Sequence, residues 1–229
     1  MTLLYDAINI YSTFISTYTL FTSVCFYLDY NHIYENKKLF NRSKEEYLQI
    51  YKESLPLVFK NVYLYSFPYI YSVIYVNNLI HGSYREYSDN NFIFLLQIIF
   101  NFIGFRLIVE TTFHLSHFFM HTKYLYKFHK VHHEIKNPVS ITTLYMHPLD
   151  LYLSNLSPFA LSTFILNYDI LTGQIFIIIQ LIQSILLAHN GYKNLSEHHN
   201  IHHTLFKYNY GSEIIDKYFN TQYIKDKKK

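Results

Sequence analysis

The stretch LYLSNLSPFALSTFILNYDILTGQIFIIIQLIQSILLAHN, residues 151–190, decides the fold class of this 229-residue chain. Its only charged residue is Asp169, which divides it into uncharged halves of 18 and 21 residues. A helix needs about 20 apolar residues to cross a bilayer, so each half is adequate or slightly short. The stretch therefore predicts two membrane helices joined as a hairpin around Asp169.

Three further stretches carry no charge: residues 7–28, 61–80 and 91–105, the last of which continues beyond Arg106 to residue 109. Only 15% of the chain is charged, against roughly 25% in an ordinary soluble domain. A soluble helical protein with a tyrosine-rich core is the alternative, but five uncharged stretches are hard to bury in a globule of this size. We therefore predict an all-α, multi-pass membrane protein with four to five hydrophobic helical segments.

The basic residues predict the orientation of these segments. If the segments alternate, sixteen Lys and Arg residues in 29–54, 123–136 and 193–229 fall on one side, and the opposite loop, 81–90, carries only Arg85. The positive-inside tendency then places the charged side in the cytosol. A single cysteine, Cys25, excludes a disulfide framework. The net charge of +3 without a basic stripe argues against nucleic acid as a partner.

Twelve of the fourteen histidines lie between His114 and His203, and most of them form closely spaced sets. The sets are His117-x-x-x-His121, His129-x-x-His132-His133 and His199-x-x-His202-His203. Residues three or four apart share one face of a helix, so each set projects its imidazoles together. Eight imidazoles on three helical faces suffice for two metal ions, which we place on the cytosolic face. Neutral imidazole binds iron, copper, zinc and nickel, so the spacing alone leaves the metal open. A metal-buffering histidine tract is the alternative, but such tracts are contiguous and these sets are not.

The stretches around these sets resemble the histidine boxes of the fatty acid hydroxylase and sterol desaturase superfamily of membrane-bound di-iron oxygenases. Residues 110–121, ETTFHLSHFFMH, are similar to the first box, and residues 125–134, LYKFHKVHHE, to the second. Residues 147–150, HPLD, and 189–192, HNGY, resemble the family's His-Pro-x-Glu and His-Ser-Gly-Tyr. Residues 198–221, HHNIHHTLFKYNYGSEIIDKYFNT, resemble the third box with its trailing Asn-Tyr, Asp and Phe-x-Thr.

The resemblance implies a set of metal ligands and supporting residues. Nine histidines would ligate two iron ions: His117, His121, His129, His132, His133, His189, His199, His202 and His203. His198, His147 and His114 are further candidates for a ligand or a supporting residue. Glu110 and Asp150 are candidates to accept N–H bonds from ligands and fix their tautomers, with Arg106 as an alternative partner of Glu110. Glu134 and Glu197 are better explained as solvated surface charges.

The resemblance also implies the cosubstrates and partners. The family oxidises unactivated C–H bonds with O2 and two electrons, and its lipid substrate enters from the bilayer. The sequence contains no G-x-G-x-x-G fingerprint for a flavin or nicotinamide. Electrons derived from NAD(P)H are therefore expected from a separate donor, cytochrome b5 or a similar protein.

The chain departs from the family pattern at three places. Phe118 stands where the first box usually has arginine, Glu110 and Asp150 stand where Asp and Glu are common, and the interval from His189 to the third box is short. These departures leave the expected ligands intact and bear on substrate fit and turnover.

The motifs indicate the substrate only by class. Three features favour the sterol members of the family, 4-methylsterol oxidase and cholesterol 25-hydroxylase. They are HHNIHH, His147-Pro and the closing Thr-Gln-Tyr. Sphingoid base and fatty acid hydroxylases share the boxes, and both hydroxylation and desaturation remain open. A catalytically degenerate metal- and lipid-binding protein is the alternative from another functional class.

The predicted organisation has three parts. Residues 1–109 hold the N-terminal membrane helices and a cytosolic loop, residues 110–223 hold the catalytic region with the hairpin, and residues 224–229 form a lysine-rich tail. The tail resembles a dilysine retrieval signal, which predicts residence in the endoplasmic reticulum.

Overall fold

The computed structural model describes residues 2–224, and every regular element within them is helical. The α-helices are α1 (Thr2–Tyr30), α2 (Lys44–Phe59), α3 (Ser66–His81), α4 (Asn91–Met120), α5 (Tyr126–His129), α6 (Pro148–Asp150), α7 (Ser157–Leu166), α8 (Ile170–Ile182), α9 (Glu197–Leu205) and α10 (Glu213–Tyr218). Three 3₁₀ turns cover Glu35–Lys37, His132–Glu134 and Ser140–Leu144. Within the same residues, the only strand-like pairing is an antiparallel bridge between Lys38 and Tyr192. The all-α prediction is confirmed, while residues 225–229 of the predicted tail lie outside the described residues.

Three helical stretches are long and apolar enough to cross a membrane. They are Asn91–Met120, Pro148–Leu166 and Ile170–His189, and they correspond to the third predicted segment and the two halves of the predicted hairpin. The first and second predicted segments, 7–28 and 61–80, also lie in long helices. Those helices are rich in Tyr, Thr, Ser and Asn, and their passage through the membrane stays a prediction.

Helix α4 presents an apolar surface to its surroundings. Only 17% of its most apolar window is buried, and Phe92, Phe100 and Leu107 are each more than half exposed. Soluble proteins rarely expose apolar surface this continuous, whereas hydrocarbon chains cover it without cost. The surface of α4 therefore supports membrane association.

Helices α2 and α3 form one continuous rod joined by a π-helical turn, Lys60–Tyr65. Ser43 begins the rod with a capping box, because its hydroxyl accepts from the Glu46 amide while the Glu46 carboxylate accepts from the Ser43 amide. Pro68 lies just beyond the π turn, and since proline lacks a backbone N–H, the regular hydrogen-bond ladder is interrupted there. The turn presents Asn61 so that its side-chain amide donates to the carbonyls of Leu144 and Met146, both at 2.8 Å.

The hairpin turn lies at the end of the molecule opposite the histidines. Helix α7 ends at Asn167, whose φ of 48° reverses the chain, and α8 begins where Asp169 accepts from the Thr172 amide. The loop after α3 packs against this turn, because the Arg85 amide donates to the Asn167 carbonyl. Arg85 therefore lies at the end where the sequence predicts it.

Two apolar clusters hold the helices together. The larger joins α1, α2, α3 and the 3₁₀ turn at 140–144 to the hairpin, with Val62, Leu151 and Ile185 fully buried. The smaller packs Phe105 of α4 against Phe176 of α8 with ring centroids 4.1 Å apart. The clusters thereby hold α4 and the hairpin, from whose ends histidines project, in fixed positions.

Candidate metal centre

The three histidine sets lie at the ends of these helices. The first set occupies the end of α4, with His117 in its last turn and His121 as its C-cap. The second set is divided between the end of α5 and a 3₁₀ turn, and the third lies on α9. His189 ends a π-helical turn, Gln183–His189, which prolongs α8. Five separate elements therefore supply the rings.

The nine predicted ligands converge into two groups, in each of which one ligand atom per histidine lies within 4.8 Å of the others. The first histidine group is His117, His121, His129, His133 and His202. The second histidine group is His132, His189, His199 and His203. The groups adjoin, since the rings of His133 and His203 have centroids 4.7 Å apart. The arrangement provides room for two neighbouring metal ions.

The division between the groups crosses the sequence sets. His132 and His133 are adjacent in sequence, yet they contribute to different groups because the 3₁₀ turn rotates successive side chains by about a third of a turn. On α9, His202 joins the first group while His199 and His203 join the second. The expectation that the members of a set project together holds for three pairs four residues apart, His117 with His121, His129 with His133 and His199 with His203, while His132 and His202 contribute to the other group.

Six of the nine rings are oriented by a hydrogen bond from Nδ1. His129 donates to Asp150 at 2.7 Å, and the other five donate to backbone carbonyls. These pairs are His117 with Tyr210, His132 with Tyr145, His189 with Ser184, His202 with Tyr208 and His203 with Ile135. A carbonyl oxygen can only accept, so Nδ1 carries the proton and Nε2 carries the lone pair in each neutral ring.

These lone pairs face one another. The Nε2 atoms of His117 and His129 are 3.0 Å apart in the first group, and those of His132 and His189 are 3.5 Å apart in the second. Two imidazole lone pairs at this separation repel each other unless a cation lies between them. The donor set, neutral imidazole Nε2, suits a divalent first-row metal such as iron, zinc, copper or nickel. The residues therefore fit two such ions.

The rings of His132, His202 and His203 are held neutral by their surroundings. Burial, reinforced by the neighbouring imidazoles, lowers the pKa of His132 to about 3 and holds the pKa of His202 and His203 well below the usual histidine value. A metal ion requires the neutral form, so the site is prepared for binding near neutral pH.

Asp216 is a supporting residue that was not among the predicted site residues. Its buried carboxylate accepts from the backbone amides of Tyr210 and Gly211, from Thr221 and from His198. Burial alone would raise its pKa, but side-chain hydrogen bonds, notably those from His114 and His198, hold the pKa of Asp216 well below its usual range. The carboxylate thereby fixes the segment whose Tyr210 carbonyl orients His117. The sequence signal was the trailing Asp of the third-box resemblance.

The remaining candidates lie outside both groups. His114 and His198 contact Asp216, with the His114 nitrogen 3.3 Å away and the His198 nitrogen 2.8 Å away. His147 caps α6, where its Nδ1 accepts from the Leu149 amide. Glu110 pairs with Arg106 on the same helix.

Two acidic residues close to the sets are exposed. Glu134 accepts from the Tyr145 hydroxyl at 3.1 Å, and Glu197 lies in the first turn of α9. Both positions agree with their interpretation as surface charges.

An apolar cavity lies between α1, α3, α4, α7 and α8, with about 1070 Å³ of empty space including its open mouth. Two of its lining residues contact the histidines directly. The Phe113 ring lies 5.4 Å from that of His117, and the Ser184 carbonyl accepts from His189. Tyr84 and Asp169 line the cavity near the hairpin turn. An apolar molecule in this cavity would therefore lie beside both groups.

Comparison with known proteins identifies the family. The family model for fatty acid hydroxylases matches residues 102–221, just over half of the chain. The human fatty acid hydroxylase domain-containing protein 2 is 31% identical over 123 residues, which cover 52% of this chain and 35% of the human protein. A Dictyostelium discoideum protein, named as a candidate methylsterol monooxygenase, is 30% identical over 142 residues, which cover 56% of this chain and 51% of that protein.

The matched region thus spans only about a third to a half of the length of these curated relatives. No solved structure matches the chain. The resemblance predicted from the histidine boxes is confirmed by the family model. The chain belongs to the fatty acid hydroxylase family.

Proposed function

We propose that this protein is an iron-dependent membrane oxidoreductase that hydroxylates or desaturates a C–H bond of a lipid, most simply a sterol. The observation that carries the proposal is the pair of histidine groups whose Nε2 lone pairs converge beside an apolar cavity. Family membership supports a lipid hydroxylase or oxidase activity. The candidate methylsterol monooxygenase from Dictyostelium supports the sterol.

Each part of the site has a distinct task in this proposal. The nine histidines would hold two iron ions, and the carbonyls and Asp150 keep the Nε2 lone pairs of six of them turned inward. Iron supplies the activation of O2 that an unactivated C–H bond requires, which no protein side chain provides. The cavity orients the lipid and excludes water, because its walls are largely apolar and it lies beside the rings.

The electron donor is proposed to be cytochrome b5 or a similar protein that receives electrons from NAD(P)H. Lys123, Lys127 and Lys130 are exposed next to His121 and His129, so a positive surface lies close to the histidine groups. A positive surface favours encounter with an acidic partner by electrostatic steering. The donor would thus dock within a short distance of the metals.

Two other candidates compete for the same site. A sphingoid base or a fatty acid would also fit an apolar cavity between helices. A catalytically degenerate protein that binds metal and lipid is the alternative from another class. It is favoured by Phe118, which replaces the usual arginine and packs 5.2 Å from the Tyr210 ring.

The test is a reconstitution of the full chain in nanodiscs with a panel of sterols, sphingoid bases and fatty acids. We expect bound iron, consumption of O2 that depends on an added electron donor, and one oxidised lipid in the mass spectrum. The matched control is H117A/H189A, which removes one ring from each histidine group. Iron without oxidation of any lipid would favour the degenerate protein, and absence of bound iron would refute the proposal.

The proposed location is the endoplasmic reticulum with the histidines in the cytosol. The basic loop after α1 contacts the residues that follow His189, since the Leu39 amide donates to the Gly191 carbonyl at 2.8 Å. This contact places the predicted cytosolic loop at the histidine end of the molecule, which supports the orientation derived from the basic residues.

A further inference from the structure

A buried ion pair lies beside the second histidine group, outside the region that the family model matches. Lys38 and Asp29 are 2.6 Å apart, with 5% and 0% of their side chains exposed. Asp29 belongs to the last turn of α1, and Lys38 follows the 3₁₀ turn Glu35–Lys37. Taking two charges out of water is costly, and this cost is offset only where both groups have well-placed partners.

The partners of Lys38 lie directly after His189. Its ammonium group donates to the backbone carbonyl of Asn190 at 2.6 Å and to the Asn190 side-chain oxygen at 3.2 Å. The same ammonium lies 3.9 Å from the centre of the Tyr192 ring. One buried cation therefore joins the end of α1 to the residue that follows a predicted ligand.

Backbone contacts hold the two segments in register. The Leu39 amide donates to the Gly191 carbonyl and the Lys193 amide donates to the Lys37 carbonyl, both at 2.8 Å. Residues 37–39 and 191–193 thus form a short antiparallel pairing on either side of the Lys38 contact. Within this pairing, only the Lys38 side chain brings a charged group into contact with Asn190.

The position of His189 depends on this segment. Its ring is oriented by the Ser184 carbonyl within the π-helical turn. That turn ends at His189, directly before Asn190, which Lys38 contacts, and before residues 191–193, which pair with residues 37–39. A π turn has a poorer hydrogen-bond ladder than an α-helix, so an anchor at its end limits how far it can relax. The first histidine group receives no residue from this segment.

We infer that Lys38 is a positioning residue for the metal ion of the second histidine group. It acts by fixing Asn190 and hence the preceding ligand, His189. Asp29 is the counter-ion of Lys38. The inference rests on the proposed metal centre. The N-terminal part of the chain lies outside the matched family region, and by this inference it is necessary for one half of the site. Loss of Lys38 should weaken metal binding in the second group and leave the first group occupied.

The test compares D29N with D29N/K38M in the full chain, purified and loaded with iron. Both variants avoid leaving Asp29 as an unpaired buried carboxylate, and they differ only in the Lys38 ammonium. D29N/K37M is the matched control, because it has the same net charge as D29N/K38M and its substitution falls on an exposed neighbour. Iron per chain, Mössbauer spectra and thermal unfolding are measured for each.

We expect about two irons per chain in wild type and about one in D29N/K38M, since loss of a supporting contact weakens a metal site by about 10- to 100-fold. D29N and D29N/K37M keep the Lys38 bonds to Asn190 and should both retain more iron than D29N/K38M. The iron that remains in D29N/K38M should give the spectrum of an isolated ion. Two irons with an unchanged spectrum in D29N/K38M would overturn the inference. If D29N/K38M alone failed to fold, Lys38 would be required for global folding, and the inference would be overturned as well.

Failure of the proposed function gives a different pattern. If wild type binds two zinc ions instead of iron, the oxygenase proposal fails, while the ratio of zinc per chain in the same variants still tests Lys38. A wild-type chain without any bound metal would refute both.

Discussion

The Nδ1–H of His129 donates to Oδ2 of Asp150 at 2.7 Å, which joins the second histidine set to the first turn of the membrane hairpin. Asp150 is fully buried, and its other oxygen accepts from the Ser154 hydroxyl one turn later. The bond directs Nε2 of His129 towards the Nε2 atoms of His117 and His133, each 3.0 Å away. The start of the hairpin thus sets the geometry of the first histidine group.

Substitution of Asp150 tests this relationship. In D150N the side chain retains its shape but loses the negative charge that accepts from His129. We expect iron affinity to fall by about 10- to 100-fold, measured as the rate of iron loss to a chelator. E213Q is the control, since Glu213 is exposed and bonds only with Gln222 among its side-chain contacts in the described residues. Equal retention of iron in D150N and wild type would refute the orienting role.

Removal of one ring from each group tests whether the groups act together. H202A takes a ring from the first histidine group, and H132A takes one from the second. We expect either change to lower lipid oxidation by more than about 100-fold, because a lost ligand costs more than a lost supporting contact. H32A should retain activity, since His32 contacts Glu35 and belongs to neither histidine group. Full iron and full turnover in either H202A or H132A would contradict a shared site.

Acid should destabilise the metal-free chain. The pKa of His132 is about 3 in the folded chain, against 6.5 for an unperturbed histidine. Below about pH 6.5 the unfolded chain therefore binds a proton that the folded chain excludes, so stability falls as the pH falls. Each such histidine contributes a loss of about 1.4 kcal/mol per pH unit.

Thermal unfolding of the chelator-treated protein in detergent between pH 7.5 and pH 5 measures this effect. The pKa values of His202 and His203 are lowered in the same way, so the slope of stability against pH should correspond to more than one proton. Stability that stays level or rises as the pH falls would show that these rings are already protonated in the folded chain.

Glycosylation acceptors test the orientation of the chain. An acceptor placed in loop 31–43 should remain unmodified if this loop is cytosolic, as its basic residues predict. An acceptor in loop 82–90 should be modified, because this loop packs against the hairpin turn at the opposite end. A shift in gel mobility after glycosidase treatment reports the result. The reverse pattern would place the histidine groups in the lumen, away from the proposed electron donor.

The lysine-rich tail should retain the protein in the endoplasmic reticulum. Replacement of Lys225 and Lys227 by Ser removes the two lysines that resemble a retrieval signal. We expect the tagged variant to appear in later compartments by fluorescence microscopy. The control replaces Lys217 and Lys207, which precede the tail. Unchanged localisation of the K225S/K227S variant would exclude a role for the tail.

The sequence by itself determined the features that depend on local pattern. Long uncharged stretches indicate membrane helices because a charge in hydrocarbon is costly, and the hairpin at 151–190 was predicted on this ground alone. The spacing of His117 and His121 predicted a shared helical face, since residues four apart are neighbours on any α-helix. The box resemblance supplied the same nine histidines that the structure brings together.

Only the tertiary structure decided how those histidines are divided and held. Successive side chains of the 3₁₀ turn project about a third of a turn apart, and the surrounding helices decide that His133 meets the first histidine group and His132 the second. The carbonyls that orient the rings of His117, His132 and His203 come from segments 13 to 93 residues away along the chain. Main-chain acceptors are common to every residue, so no sequence pattern marks them. For the same reason, the bond from Lys38 to the Asn190 carbonyl becomes visible only when the end of α1 and the end of the hairpin are brought together.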